Sequence, residues 1–261
     1  MDLQLSGKKA VVTGASKGIG LAISECLVAE GMHVYGASRT VTPELAALGI
    51  PTLAVDLSHA DSGERLVDHA VEQLGGIDVL VNNVGGGAEG ADLAGGFLSL
   101  DEETWQRSLN LNLLSAVRVT RAALPYIVER RGSIVNISSI GARASYQPVD
   151  YGVAKAGLTN MSKALAEEFG PLGVRVNTVT PGPTLTQNWR DPEGYAGDLA
   201  KAAGLDYDEF MARIPATMGI TTGRLAEPSE VAAVVAFLAS PLAGSVTGAD
   251  YRVDGGVLKA V

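Results

Sequence analysis

The sequence predicts an α/β fold, a doubly wound parallel sheet with helices on both faces. Three observations carry that expectation. Short runs rich in Val and Ile alternate along the chain with longer stretches of helical periodicity. The runs are nearly continuous in apolar residues, as strands are when both faces of a sheet are covered. A glycine-rich turn, TGASKGIG at 13–20, joins the first run to the first helical stretch.

The elements follow in order. KAVVTGA (9–15), HVYGAS (33–38), PTLAVDL (51–57), DVLVNNV (78–84), GSIVNISS (132–139) and VRVNTVT (174–180) each read as a buried strand. Helical patterns lie at 19–30, 62–74, 101–130, 151–169 and 228–239. Strand-helix alternation of this kind builds a parallel, Rossmann-like sheet. No repeat, low-complexity tract or linker breaks the chain, so 1–261 reads as one domain. The Gly-rich stretch 85–96 and the long segment 182–224 read as excursions from it.

Composition narrows the function classes. The 261 residues are 46% apolar and 19% charged, the balance of a folded globular chain. A net charge of −9 repels a phosphate backbone, so no nucleic-acid partner is expected. No apolar run approaches the roughly 18 residues that span a bilayer, so no membrane partner is expected either. The N-terminus lacks a basic start followed by an apolar stretch, and the only cysteine is Cys26. Both features suit the cytoplasm. Cys26 sits among apolar helix positions and reads as a small core residue.

In an open parallel sheet, ligands bind at the carboxyl ends of the strands. The glycine turn lies at such an end. Gly14, Gly18 and Gly20 allow a tight turn and a close approach to a pyrophosphate, and the following helix N-terminus offers free N–H groups. An acid that would hold the adenosine ribose is expected about 20 residues on. Ser38 stands there instead, followed by Arg39. Ser38 does not repel a 2′-phosphate, Arg39 can bind one, and Lys17 adds a second cation. NADP(H) is therefore expected over NAD(H).

SYQPVDYGVAK (145–155) holds two tyrosines. Tyr151 and Lys155 are four apart, on one face of a helix. Tyr146 would need its lysine at 150, where Asp150 stands. A phenol near an ammonium is drawn toward its phenolate and can exchange a proton with a carbonyl or alcohol oxygen.

TGASKGIG, NNVG (82–85), Asn112, NISS (136–139), YGVAK, PGPTLT (181–186) and VDGG (253–256) stand in this order along the chain. Together they closely resemble the classical short-chain dehydrogenase/reductase family, essentially end to end. The resemblance implies a catalytic tetrad of Asn112, Ser139, Tyr151 and Lys155. Tyr151 would be the general acid in ketone reduction and the base in alcohol oxidation. Lys155 would tune it and hold the nicotinamide ribose. Ser139 would hydrogen-bond the substrate oxygen, and Asn112 would hold a relay water. Cofactor contacts are implied for Gly14, Ser16, Lys17, Gly18, Ile19 and Gly20, for Ser38 and Arg39, and for Asp56 and Leu57 near the adenine. They are implied also for Asn83, Gly85, Pro181, Gly182, Thr184 and Thr186. No metal is expected. The implied partner is a small-molecule carbonyl or alcohol, and the implied assembly is a homotetramer with helix interfaces at 101–130 and 151–169.

The sequence departs from the family pattern in places. Val84 stands where the family has Ala. The step from Ser139 to Tyr151 is one residue shorter than usual, so counting back from the tyrosine selects Ser138, whereas counting along the strand selects Ser139. Strand register fixes side-chain direction, which favours Ser139. The segment 182–224 is long and carries Trp189, Tyr195, Leu199, Leu205, Tyr207, Phe210, Met211 and Ile214, with glycines at 194, 197, 204, 219 and 223. It reads as a substrate lid over a partly apolar substrate. Arg143 reads as a loop or interface charge. Two other functions stay open: an epimerase or dehydratase cycling the nicotinamide internally, and a dinucleotide-binding module without catalysis.

Overall fold

The computed structural model describes residues 1–87, 96–145 and 148–259. It contains one parallel sheet of seven strands: β1 (Lys9–Thr13), β2 (His33–Ser38), β3 (Thr52–Ala54), β4 (Val79–Asn82), β5 (Ser133–Ile137), β6 (Arg175–Pro181) and β7 (Asp250–Val253). Their order across the sheet is β3-β2-β1-β4-β5-β6-β7. The chain thus reverses direction across the sheet between β3 and β4, and the crevice of such a sheet opens between β1 and β4. Ten α-helices are present among the described residues. Those that matter for the site are α1 (Gly18–Ala29), α2 (Pro43–Ala47), α3 (Ser62–Leu74), α4 (Glu102–Leu109), α5 (Ser115–Arg130) and α6 (Val149–Phe169). After β6 come α7 (Gln187–Arg190), α8 (Tyr195–Ala202), α9 (Tyr207–Thr217) and α10 (Pro228–Ala239).

The continuous apolar runs are explained by two cores. Successive strand residues point to opposite faces. Val12, Val81 and Val135 face a cluster with Ile23 and Leu27 of α1 and Val231 and Val235 of α10. Val11, Leu80 and Ile134 face the other side, with Leu66 of α3 and Val119 and Ile127 of α5. Each fully buried Leu, Ile or Val contributes about 1.5–3 kcal/mol. Cys26 is partly buried against the first cluster, and burial pushes its thiol up, as expected of a packing residue.

Local signals set the helix limits. Thr42 caps α2 by accepting from the Leu45 N–H, with Pro43 at its first position. Asp101 caps α4 by accepting from the Thr104 N–H at 2.8 Å. Gly75, at φ +71°, ends α3 in the left-handed conformation that a side chain disfavours.

Three features differ from the sequence reading. The stretch 101–130 is not one helix: a π-turn, Asn110–Leu114, separates α4 from α5. The third strand is shorter than 51–57, because Asp56 turns to accept from the Ser58 N–H at 2.9 Å. A seventh strand, β7, was not expected. It lies at the sheet edge, only partly buried, so its sequence DYRV carries no continuous apolar run.

Candidate active site

The carboxyl ends of β1, β4, β5 and β6 carry the residues singled out by the sequence. At β1, the chain turns through Gly14 (φ +66°) and Gly18 (φ +56°) into α1. A Cβ on Gly20 would stand 2.1 Å from the Gly14 carbonyl oxygen, so only glycine allows this closure. Asn83 braces the turn from β4, donating to the carbonyls of Thr13 at 3.0 Å and Gly14 at 3.2 Å. Thr13 Oγ1 accepts from the N–H groups of Asn83 and Val84, at 2.9 and 3.2 Å. A Cβ on Gly14 would lie 3.4 Å from Val84, so the departure at 84 fills ordinary contact distance. Thr42 holds the outer side, donating to the Ser16 carbonyl at 2.8 Å.

The loop fits a pyrophosphate. Lys17 stands at the N-cap of α1 and makes no side-chain cap, so no side chain satisfies the first N–H groups of the helix there. A Cβ on Gly18 would meet Thr186 Cγ2 at 3.1 Å, so the end of β6 closes on the same space. Ile19 is partly buried against the first core cluster. Pro181 ends β6, and a Cβ on Gly182 would lie 2.8 Å from Asp254 Cα, which keeps that turn glycine. Thr184 donates to the Gly182 carbonyl at 2.9 Å and pairs with Ala226.

At β2, Ser38 is buried and donates to the Thr40 carbonyl at 2.7 Å. Arg39 and Lys17 are exposed. Asp56 follows β3, with Leu57 buried beside it. The Ser58 backbone N–H holds the Asp56 carboxyl below its usual range, with a smaller contribution from the positive charge of Arg39. Arg39 therefore lies within electrostatic reach of the Asp56 carboxylate.

Of the four candidate residues, Asn112, Tyr151 and Lys155 come together where the ends of β4 and β5, the π-turn and α6 meet. Lys155 is 2% exposed, and its Nζ donates to the Ile137 carbonyl at 2.9 Å. Nζ lies 5.8 Å from the centre of the Tyr151 ring, close enough for a cation–π contact. Burial lowers the Lys155 pKa to about 8. Asn112 is 1% exposed; its amide donates to the carbonyls of Ser108 at 3.0 Å and Gly86 at 3.1 Å, and its oxygen accepts from the Gly86 N–H at 2.9 Å. Gly85 joins the two: a Cβ there would stand 2.7 Å from Lys155 Nζ and 2.8 Å from Asn112 Oδ1.

The two serines separate cleanly. Ser138 Oγ donates to the Lys155 carbonyl at 3.2 Å and pairs with Thr159 Oγ1 at 2.7 Å, pinning α6 to β5. Ser139, the next residue, accepts from the Gly141 N–H at 3.1 Å and opens the short turn Ile140–Ala142. Tyr146 lies outside the described residues. Arg143 is committed elsewhere, in an ion pair with Asp250 at 2.7 Å. That pair borders a cavity of about 370 Å³ lined by Thr159, Lys163 and Thr178 but by none of the glycine-turn residues.

Sequence reasoning did not single out Thr13, Thr42, Gly86 or the Ile137 carbonyl. Thr13 stood inside the quoted glycine motif and was findable there. A backbone carbonyl leaves no mark in a motif. Among the described residues, no group of three or more His, Cys, Asp or Glu can hold a metal, and no helix is long and apolar enough to cross a membrane.

Comparison with known proteins agrees with this geometry. A family model described as Enoyl-(Acyl carrier protein) reductase matches residues 14–258. The chain is 35% identical to a 3-oxoacyl-(acyl-carrier-protein) reductase of Vibrio cholerae, over 98% of this chain and 99% of that protein. The structure of L-sorbose reductase from Gluconobacter frateurii, complexed with NADPH and L-sorbose, matches with a TM-score of 0.87 and 35% identity over 100% of both chains. An actinorhodin polyketide ketoreductase variant with NADPH matches with a TM-score of 0.85 and 34% identity, over 96% of this chain and 97% of that one. Fold, motif order and relatives agree: the chain belongs to the classical short-chain dehydrogenase/reductase family, a family of oxidoreductases.

Proposed function

We propose that the protein is an NADP(H)-dependent oxidoreductase that interconverts a carbonyl and a secondary alcohol on a small, partly apolar organic molecule. The observation that carries this reading is the position of the Lys155 ammonium, buried beside Asn112 and Gly85 and 5.8 Å from the Tyr151 ring. NADP(H), when bound, supplies or accepts the hydride. In reduction, Tyr151 gives its phenolic proton to the carbonyl oxygen; in oxidation it takes the proton from the alcohol. Lys155 favours the phenolate by its charge. Ser139 orients the substrate oxygen, and Asn112 holds the relay water from the π-turn. The glycine turn with Thr186 holds the pyrophosphate, Asn83 and Gly85 shape the floor, and Pro181, Gly182 and Thr184 meet the nicotinamide end.

Three features favour NADP(H). Ser38 carries no charge, and Arg39 and Lys17 are exposed cations at the two positions that border a 2′-phosphate. Relatives named as ketoreductase and sorbose reductase, each solved with NADPH, point the same way. The segment 182–224 follows the nicotinamide end directly, and we assign it the role of substrate lid. The exposed apolar residues Leu114 and Val153, on the π-turn and α6, support a homotetramer interface on these helices.

The test is a panel of ketones and alcohols assayed with NADPH and with NADH. NADPH is preferred, Ser38→Asp with Arg39→Ala reverses the preference, and Tyr151→Phe abolishes most turnover while cofactor still binds. Equal efficiency with both cofactors in the unaltered protein overturns the NADP(H) assignment. Full turnover by Tyr151→Phe overturns the proton role.

A further inference from the structure

Asn110 and Asn112 sit two residues apart on the same π-turn and serve opposite sides of it. Asn112 faces Gly86 and the Lys155 end of the site. Asn110 faces the loop after β3, where its amide donates to the Ser58 carbonyl at 2.8 Å. Arg118, two turns further along in α5, completes the contact: Nη2 donates to Asn110 Oδ1 at 2.6 Å, and Nη1 donates to the Leu57 carbonyl at 3.3 Å. The same loop is fixed from inside, because Asp56 accepts from the Ser58 N–H at 2.9 Å. Arg118 has a firm base. A Cβ on Gly63 of α3 would lie 2.6 Å from the Arg118 carbonyl carbon, so the two helix backbones touch there.

Two hydrogen bonds to the 56–58 loop, one from Asn110 and one from Arg118, and a third between Asn110 and Arg118 thus link that loop to the turn that carries Asn112. A π-turn has a widened, less regular hydrogen-bond pattern than the helices on either side, and its side chains need outside partners to hold one geometry. Asn110 and Arg118 supply those partners, and they do so from the loop assigned above to the adenine.

We propose that Asn110 and Arg118 are positioning residues. They tie the π-turn, and with it Asn112, to the 56–58 loop, so that binding of the adenosine end of the cofactor at that loop steadies the turn. This rests on the cofactor reading above. It adds that adenosine occupancy is felt at the catalytic turn without any contact from the nicotinamide.

Hydrogen exchange on the full chain tests it, with adenosine 2′,5′-bisphosphate as the probe, since that molecule carries the adenosine end and no nicotinamide. In the unaltered protein the probe slows exchange at 14–20 and also at 108–114. Asn110→Asp keeps an acceptor for Arg118 but loses the donation to Ser58; it keeps the slowing at 14–20 and loses it at 108–114. Its kcat with NADPH falls on the order of tenfold, the scale of one lost hydrogen bond, while KM for NADPH stays nearly unchanged. Arg118→Lys, which keeps the charge and loses the fork, behaves in the same direction and serves if the first variant folds poorly. Equal slowing at 108–114 in variant and unaltered protein overturns the proposal. So does slowing at 14–20 alone in the unaltered protein. No slowing at either segment removes the cofactor reading itself, and this proposal with it.

Discussion

Replacing Gly85 with alanine adds one methyl group where there is no room for it. The new Cβ would stand 2.7 Å from Lys155 Nζ and 2.8 Å from Asn112 Oδ1. Ordinary contact begins near 3.4 Å, so the neighbours must give way by about 0.7 Å in total or each in part. Neither gives easily. Lys155 Nζ is buried and held by the Ile137 carbonyl, and Asn112 is held by three hydrogen bonds. Gly85 is not in the left-handed region, so alanine brings no backbone strain, and the effect isolates displacement of the two side chains.

A misplacement of about 1 Å in a reacting group costs roughly 100-fold in rate. A shift of about 0.7 Å therefore predicts a fall in kcat of roughly tenfold to fiftyfold. The overpacking destabilises the fold by about 1–3 kcal/mol. Gly87→Ala is the control, since among the described residues nothing lies within 4 Å of the Cβ it would add. The assay is kcat and KM for a reduced ketone, with urea unfolding of both variants alongside. If Gly85→Ala folds, carries the packing penalty and still turns over at the unaltered rate, the positions of Lys155 and Asn112 do not govern the chemistry and the tetrad reading fails.

The remaining predictions follow from the same contacts. Ser139→Ala loses most turnover with little change in stability, whereas Ser138→Ala loses about 1 kcal/mol of stability through its bonds to α6 and keeps more of its turnover; the reverse pattern would show that the count back from Tyr151 selects the right serine. Hydrogen exchange across 189–218 slows when NADPH and a substrate ketone are added together, as a lid requires, and a segment already fully protected in the free protein refutes the lid. Lys155 has a folded-state pKa lowered to about 8, below its unfolded value, so its burial penalty is complete below pH 8 and fades as pH rises toward about 10.5. Stability measured by urea unfolding therefore gains with pH over that window from this group, and Lys155→Met removes the gain; an unchanged pH slope in that variant contradicts the burial of the charge.

Much of the fold was legible because its pattern is periodic. The residues 33–38, 62–74 and 228–239 were bounded in the sequence as they stand in β2, α3 and α10. In each, a turn residue or cap coincides with the end of the apolar pattern. What escaped had no such pattern. The helix α2 is five residues long, less than two turns, and β7 is an edge strand with little to bury. The π-turn hides for a different reason. NLNLL alternates polar and leucine residues without a glycine or proline, so nothing in its composition marks the place where the backbone widens. In the candidate site, the glycine turn and the Tyr151–Lys155 pair were marked in the sequence by residue type and spacing. The serine choice was not settled by counting, because the step back from Tyr151 that the family usually shows reaches Ser138 whereas the count along the strand reaches Ser139. The residues of 182–224 show the limit of composition. Ile214 is buried with Ile220 and Leu225, packed against Trp189, Phe210 and Met211, so much of the apolar surface that suggested a substrate contact serves the segment's own packing. Of its glycines, Gly197 stands where a Cβ would meet the Pro192 oxygen at 1.6 Å, so it is a packing glycine and not a hinge.

The position of Lys155 sets stability against the chemistry proposed for it. Lowering its pKa from 10.5 to about 8 corresponds to about 3 kcal/mol against the ammonium at neutral pH. That is a large fraction of the net stability of an ordinary domain. A leucine or methionine would pack there without the cost. The surroundings nevertheless do everything to keep the charge in place: the Ile137 carbonyl accepts from it, Ser138 and Thr159 tie down the turn of α6 that carries it, and Gly85 leaves the room it needs. Two of these features, the Ile137 carbonyl and Ser138, stand at the end of β5, and the third, Gly85, follows β4. A buried charge held this way cannot drift to solvent to relieve its desolvation. Tyr151 stands one turn earlier on the same helix face, with its ring centre 5.8 Å from Nζ. In the mechanism proposed above the buried ammonium favours the Tyr151 phenolate, which would link the cost of the one to the acidity of the other. A substitution that relaxes the first, by opening Gly85 or Ser138 to water, weakens the second by the same means.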